Sequence, residues 1–377
     1  MTIGIITIHN STNYGACLQS WGLYKFLVDN GFNCEIIDLH RPVHSDYVYS
    51  NRYTDYRGLS IKKHRQSLKD WIYKHIYDPN KIPTARIKKF CEFNDQIKLS
   101  KRYCSIDELY ANPPLYDVYI TGSDQLWNPT QPFCIEPYFL TFVKNGGKKI
   151  SYAASIGINE LTDCEKKDFK KWLETYDYIS VREMQAKTLL ETFIEKPIHQ
   201  VADPTFLLGS DYWRSIAIHP NITKPYILVF KLYKGNALVD YAARIGKEAG
   251  KKVIVLPMGR KTNRCKVVKD AGPLEFLGYM AHADLVITDS FHATVFAIIM
   301  GAKNFFSYIS PTNKRGSRIT TLLSNFNVPD HIIAQDLSTT YTDMVQKPID
   351  VNAIYEIAKQ QQQKSGTYLM NSIKNLQ

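Results

Sequence analysis

The 377-residue chain has no paired-cysteine pattern: its seven cysteines (Cys17, Cys34, Cys91, Cys104, Cys134, Cys164 and Cys265) are scattered, with no CxxC among them. An odd, unpatterned set argues against a disulfide framework or a zinc signature, so reduced thiols in a cytoplasmic setting and no metal are expected. No apolar stretch is long enough to cross a bilayer. The apolar run that opens the chain stops at His9 and Asn10 with no basic leader, which fits a first β-strand better than a signal peptide. There is no GxGxxG dinucleotide loop and no repeat of solenoid period, and the glutamine run at 360–363 is too short for a prion-like tract.

What is present is an ordinary globular composition, 44% hydrophobic and 22% charged, with an excess of positive charge, formally +11. That excess implies an acidic partner: a nucleic acid, an anionic membrane surface or a phosphorylated substrate. It concentrates between Arg41 and Arg102, where lysines and arginines interleave with tyrosines, Trp71 and Phe90. Such a mixture suits a headgroup interface or a phosphate-bearing ligand, or else a solvated helical insertion packed by its aromatics. No nucleic-acid motif accompanies it.

Short apolar runs at Ile3–Ile8, Cys34–Leu39, Val118–Thr121, Ile150–Ala154 and Tyr178–Val181 alternate with helical patterns. A second set follows at Tyr226–Leu232, Lys252–Leu256, Leu285–Thr288 and Asn304–Tyr308. This is α/β alternation, and it predicts two doubly wound domains facing each other across a cleft. The expected division is 1–210, carrying the basic, aromatic helical insertion at about 41–106, then 211–345, then a C-terminal helix and polar tail at 346–377.

Polar turns at strand ends are where such folds bind ligands. Asp289-Ser290-Phe291-His292 joins a buried strand to a buried helix, with Ser290 as a natural N-cap and His292 in the first turn. Caps and a satisfied core histidine would explain the same residues. Asn13-Tyr14-Gly15 leads into the first helix and either offers amides to a ligand or makes a tight turn. Ser123, Asp124, Gln125 and Trp127 combine hydrogen-bonding groups with a flat apolar face, as a sugar site requires, and Asp124 can serve as a base; an Asx-turn anchored by a buried Trp127 would explain the same residues. Arg182 follows a strand and suits a bidentate contact to carboxylate or phosphate, or a local pair with Glu183. Lys314-Arg315-Gly316-Ser317-Arg318 adds cations ahead of a late helix.

The segments NYGACLQSWGLYKFL, YITGSDQLWNP, YAASIG, ISVRE, VADPT, VITDSFHATVFAIIMG and KRGSRI together resemble the polysaccharide pyruvyl transferases, over residues 3 to about 325. The resemblance implies two Rossmann-like domains in a glycosyltransferase-B-like arrangement, with an acceptor side first and a donor side second. It implies phosphoenolpyruvate as co-substrate, no other cofactor, and a sugar diol, free or lipid-linked, as acceptor, giving a pyruvate ketal and phosphate. It carries Asp124, Arg182 and His292 over as catalytic residues. Some members have arginine where this chain has Ser290, so Arg315, Arg318 or Lys231 is left to supply that charge. The expected location is cytoplasmic, at the inner membrane face if the acceptor is lipid-linked. A nucleotide-sugar-dependent glycosyltransferase and a non-catalytic carbohydrate-binding protein are the alternatives.

Overall fold

The computed structural model describes residues 1–41, 46–48, 82–131, 136–144, 146–233, 235–257, 265–311 and 316–376. Most of the basic, aromatic stretch, together with Arg315, lies outside the described residues.

The first unit begins with β1 (Thr2–Ile6), α1 (Tyr14–Asp29), β2 (Asn33–Leu39), α2 (Thr84–Asn94), β3 (Leu99–Tyr103), α3 (Ile106–Ala111), β4 (Val118–Thr121) and β5 (Lys148–Ser151). Its five strands are parallel in the order β3-β2-β1-β4-β5. The unit continues through α4 (Asp163–Leu173), β6 (Ile179–Val181), α5 (Met184–Glu191) and β7 (Ile198–Gln200). Single bridges from Ile150 to Tyr178 and from Ala154 to Val181 attach the β6–β7 pair to the sheet. A 3-10 turn, Pro204–Leu208, and α6 (Gly209–Ile216) lead onward.

The second unit contains β8 (Tyr226–Lys231), α7 (Ala237–Ala249), β9 (Lys252–Pro257), β10 (Lys266–Val267), α8 (Pro273–Ala281), β11 (Leu285–Thr288), α9 (Phe291–Ile299), β12 (Phe305–Tyr308), α10 (Ser317–Asn325), β13 (Ile332–Ile333) and α11 (Tyr341–Val345). Its parallel order is β10-β9-β8-β11-β12-β13. Both sheets therefore reverse direction beside a central strand, β1 against β4 and β8 against β11. Crevices open at such reversals, outside the carboxyl ends of the strands. The strands there are apolar on both faces, and every residue of β4 and β11 is buried, as helix-covered parallel strands require.

The two units share one apolar core, because α1 is buried around most of its circumference. The Tyr14 ring stacks on Phe276 of α8 at 4.6 Å and meets Phe230 edge-on at 5.6 Å, and its hydroxyl donates to the Ala271 carbonyl at 2.6 Å. The last helix, α12 (Val351–Lys374), crosses back onto the first unit: Ala202 N donates to Ser365 Oγ at 2.9 Å, and Gln362 Nε2 donates to the Leu207 carbonyl at 3.0 Å.

Two expectations need correction. The polar tail is helical to Lys374, and its buried positions include Ser365, Gly366 and Ser372, which do not read as apolar yet allow close helix approach. The insertion is shorter than 41–106, since Leu99–Tyr103 is the edge strand β3, whose exposed Lys101 and Arg102 hide its strand character. The short outer strands β7, β10 and β13 carry too few residues to show a pattern.

Candidate active site

His292 is the second residue of α9, whose start is fixed by the Ser290 hydroxyl accepting from Ala293 N at 3.4 Å. Its imidazole reaches across to the first unit. The ring lies so close to Gly15 of α1 that a Cβ there would stand 2.2 Å from Nδ1. Nε2 lies 3.4 Å from Asp203 Oδ2 and 3.5 Å from Arg182 Nη1, and the side chain is 11% exposed. Asp203 caps the Pro204–Leu208 turn, its Oδ1 accepting from Thr205 N at 3.1 Å and Thr205 Oγ1 at 2.8 Å, while its Oδ2 accepts from Arg182 Nη1 at 2.7 Å. Burial works to raise this carboxyl, but the hydrogen bond and charge of His292 and the charge of Arg182 prevail and hold it well below the usual carboxylate range.

Arg182 projects from the end of β6 and is buried. Its hydrogen-bonded partner is Asp203, and the adjacent Glu183 pairs with it by charge, Oε2 lying 3.8 Å from Nε while Oε1 accepts from Ser155 Oγ and Gly157 N. Nε and Nη2 have no hydrogen-bond partner among the described residues, although Asp124 Oδ1 lies 4.0 Å from Nη2. That pair of donors is one fork edge of the guanidinium, shaped for a carboxylate or phosphate. Arg318, in the first turn of α10, is also buried; with the Gln125 amide turned oxygen-first, its Nη2 and Nη1 donate to it at 2.8 and 2.9 Å, and its Nε is unpaired. Both guanidinia lie against the Phe291 ring, 4.3 Å (Arg182) and 5.5 Å (Arg318) from its centre. Burial, and then the neighbouring Arg182, lower the Arg318 pKa. Donors without a hydrogen bond on two buried arginines converge on one crevice, a chemistry suited to an anion.

Asp124 adopts φ 75° at the turn after β4, where its Oδ1 accepts from the Gln125 amide at 2.8 Å. A non-glycine residue in the left-handed region is uncommon enough to mark a constrained loop. Other expected ligand contacts turn out to hold the scaffold. Trp127 is fully buried, stacks on Phe139 at 5.3 Å and donates from Nε1 to the Tyr138 carbonyl, so it offers no face to a sugar. Ser123 is buried, and its hydroxyl donates to the Ala153 carbonyl at 2.8 Å. Asn13 Oδ1 accepts from Gly15 N and Ala16 N, which uses the amides that an anion would have needed. Tyr14 belongs to the interface between the units, and Gly15 serves by admitting His292. The Ser290 hydroxyl is a helix cap. Lys231 ends β8, half-buried, near the β11 turn.

Asp203 has no site role in the sequence reading, and Asp289 and Phe291 enter it only as members of the turn before His292. Asp203-Pro204 reads as a turn because its partners are distant in sequence. Asp289 accepts from Leu232 N at 2.6 Å and Tyr233 N at 3.2 Å, pinning the loop after β8; burial raises its carboxyl to about 6.

The model of the polysaccharide pyruvyl transferase family matches residues 13–310, a span containing Asp124, Arg182, Asp203 and His292. The chain belongs to that family. Membership makes it a pyruvyl transferase and agrees with the resemblance drawn from its motifs. Three solved structures share its architecture at low identity. Arabidopsis thaliana UGT89C1 complexed with UDP-L-rhamnose has 10% identity and a TM-score of 0.54, covering 100% of this chain and 98% of its own. An alpha-glucosyltransferase in complex with UDP and a 13-mer DNA has 10% identity and a TM-score of 0.53, covering 99% of each chain. The putative UDP-N-acetylglucosamine 2-epimerase from Listeria monocytogenes has 12% identity and a TM-score of 0.51, covering 95% of this chain and 90% of its own. They establish the fold, two Rossmann-like domains of glycosyltransferase-B type. No curated protein matches the sequence.

Proposed function

We propose that this pyruvyl transferase moves the pyruvyl group of phosphoenolpyruvate onto two hydroxyls of a sugar in a polysaccharide or lipid-linked precursor, forming a ketal and releasing phosphate. The observation that carries this reading is the unpaired Nε–Nη2 edge of buried Arg182, set beside Arg318 and within one side chain of His292. The donor carboxylate docks on that edge, and its phosphate lies toward Arg318. His292, oriented by Asp203, protonates the methylene carbon, so that C2 becomes an oxocarbenium-like centre. An acceptor hydroxyl attacks C2 and gives its proton to Asp124. Phosphate then departs with the C–O electron pair, and a second hydroxyl of the same sugar closes the ketal. The fixed arginines meet the donor's charge without reorganising during the reaction. A lipid-linked acceptor would place the enzyme peripherally at an anionic membrane surface, which the net charge of +11 favours.

The test is incubation with phosphoenolpyruvate and a panel of nitrophenyl and lipid-linked sugars, following phosphate release and product mass. Phosphate release with a pyruvyl-ketal product supports the reading. Release of nucleotide from a sugar nucleotide, with phosphoenolpyruvate inert, overturns it in favour of glycosyl transfer.

A further inference from the structure

The carboxyl edge of the first sheet carries a cluster that the pyruvyl-transfer chemistry does not use. β2 and β3 are parallel and pair Leu39 with Tyr103, so the next residues, His40 and Cys104, lie side by side where the two strands end. In-register neighbours on parallel strands turn their side chains to the same face. His40 N donates to the Tyr103 carbonyl at 2.9 Å, and Val48 N donates to the Cys104 carbonyl at 2.8 Å, which brings Asp46 to the same edge. A ring nitrogen of His40, a carboxylate oxygen of Asp46 and Cys104 Sγ all lie within 4.8 Å of one another; the histidine is buried, the cysteine half-buried and the aspartate exposed.

Imidazole, thiolate and carboxylate together suit a zinc-type ion, whereas magnesium and calcium take oxygen ligands. In a tetrahedral zinc site, bonds of about 2.0 to 2.3 Å hold such ligand atoms about 3.3 to 3.6 Å apart. Here His40 Nδ1 is 2.9 Å from Asp46 Oδ1, and Cys104 Sγ is 4.0 Å from Asp46 Oδ2. One separation is short and the other long by less than about half an ångström, which the exposed Asp46 side chain can take up. The second nitrogen of His40 points outside the cluster: Nε2 lies 3.7 Å from Oδ1 of buried Asp38, whose two oxygens also meet His9 Nε2 at 2.9 Å and Arg102 Nε at 3.0 Å. A ligating histidine ordinarily turns its other ring N–H toward a carboxylate, which sets the tautomer and strengthens the ligand. His40 has that orientation, with Nε2 toward Asp38 and Nδ1 toward Asp46 and Cys104.

We propose that His40, Asp46 and Cys104 form a site for a zinc-type divalent ion, the fourth position being left to water, which clips the segment after β2 to the end of β3. The ion takes the Nδ1 lone pair, a carboxylate oxygen and the thiolate. The S–H bond gives up its proton to solvent, and the imidazole stays neutral with its proton on Nε2. The thiolate and the Asp46 carboxylate balance the two charges of the ion, and nothing is oxidised or reduced. Its ligands come from segments far apart in the chain, so no local spacing of the CxxC kind marks it.

The full chain, stripped of metal with a chelator and kept reduced, is titrated with Co²⁺ and then with Zn²⁺. The variants are Asp46→Asn and Cys104→Ser, with Cys91→Ser and Cys164→Ser as controls at exposed cysteines. The parent should bind a single cobalt ion with a thiolate charge-transfer band that Zn²⁺ abolishes and excess Mg²⁺ does not, releasing about one proton per ion. Asp46→Asn and Cys104→Ser should each lower affinity by more than about 100-fold, beyond the roughly 10- to 100-fold that loss of an outer partner costs. Cys104→Ser should also lose the band, and both controls should match the parent. Asp46 is exposed, so Asp46→Asn tests the site even where Cys104→Ser fails to fold. A parent without the band, parental affinity in Asp46→Asn, or loss of the band in either control would overturn the proposal and leave His40 and Asp46 as an ion pair at the sheet edge.

Discussion

Gly15→Ala should disable the enzyme without altering any group that does chemistry. A Cβ at this position would lie 2.2 Å from His292 Nδ1, 2.4 Å from its Cγ and 2.7 Å from its Cβ, so the imidazole must move by roughly 1 Å or more to reach van der Waals contact. That displacement opens the 3.4 Å contact from Nε2 to Asp203 and the 3.5 Å approach to Arg182. Overpacking costs about 1–3 kcal/mol, and replacing glycine by alanine in a helix returns roughly 0.5–1 kcal/mol. The net destabilisation is thus no more than about 2.5 kcal/mol, leaving the chain folded at assay temperature in a domain of ordinary stability. Misplacing a catalytic group by about 1 Å, by contrast, costs on the order of 100-fold in rate. Gly246→Ala is the control: its Cβ would meet the Val253 side chain at 2.4 Å in α7, overpacking a helix far in sequence from the site residues. Phosphate release at saturating donor, measured beside thermal melts, should show Gly15→Ala slowed about 100-fold and Gly246→Ala near the parent rate. Equal turnover in parent and Gly15→Ala, or equal losses in the two variants, would refute the placement of His292 at the reacting centre.

Arg182→Lys keeps a positive charge but loses the Nε–Nη2 edge, and titration with phosphoenolpyruvate alone should show affinity reduced by about one to two decades, as for a charge-assisted contact of roughly 1.5–3 kcal/mol; unchanged affinity would remove that edge from the donor site. Asp124→Asn should lower kcat more than it raises the acceptor KM, because an amide can hydrogen-bond but cannot take a proton; steady-state kinetics showing only a raised KM would make Asp124 a binding residue. Arg315→Ala and Arg318→Ala should each weaken donor binding and spare acceptor binding, and donor titrations matching the parent would make the KRGSR segment a solvated surface. Asp38, held at about 2 against an ordinary 3.8, contributes stability that is complete above pH 4 and is lost as pH falls through 2; Asp38→Asn should therefore unfold about 2 kcal/mol more easily at pH 7, with the gap closing on acidification, and a gap independent of pH would contradict the ion pairing.

The strands at both sheet reversals could be read from the sequence because they are buried on both faces: VYIT and LVIT are continuous apolar runs, and the turns after them hold Asp124 and His292. Arg182, too, is legible as a cation at a strand end, although its partner is not. Asp203 is 21 residues away, and no local pattern announces an ion pair closed by tertiary packing. The misreading of Trp127 has a similar origin: an indole in a polar loop looks like a sugar platform until Phe139 covers it and the Tyr138 carbonyl takes its N–H. Asn13 shows the reverse ambiguity, since a residue type suited to binding a ligand is equally suited to capping a helix, and here the two amides at the helix start settle the use.

Charge balance explains why the site is divided between two units. Among the described residues the crevice holds two arginines, Arg182 and Arg318, against three carboxylates, Asp124, Glu183 and Asp203. His292 joins the two arginines against these three carboxylates, so cationic and carboxylate groups of the described crevice match one for one. The carboxylates have other work: Asp203 is committed to His292 and Arg182, and Glu183 to Ser155 and Gly157, which keeps two buried cations affordable while no anion is bound. Arg182 and Asp203 belong to the first unit and Arg318 and His292 to the second, so the cluster is complete only where the two units meet. The same meeting sets His292 between Gly15 and Asp203, so the position of its imidazole depends on both units.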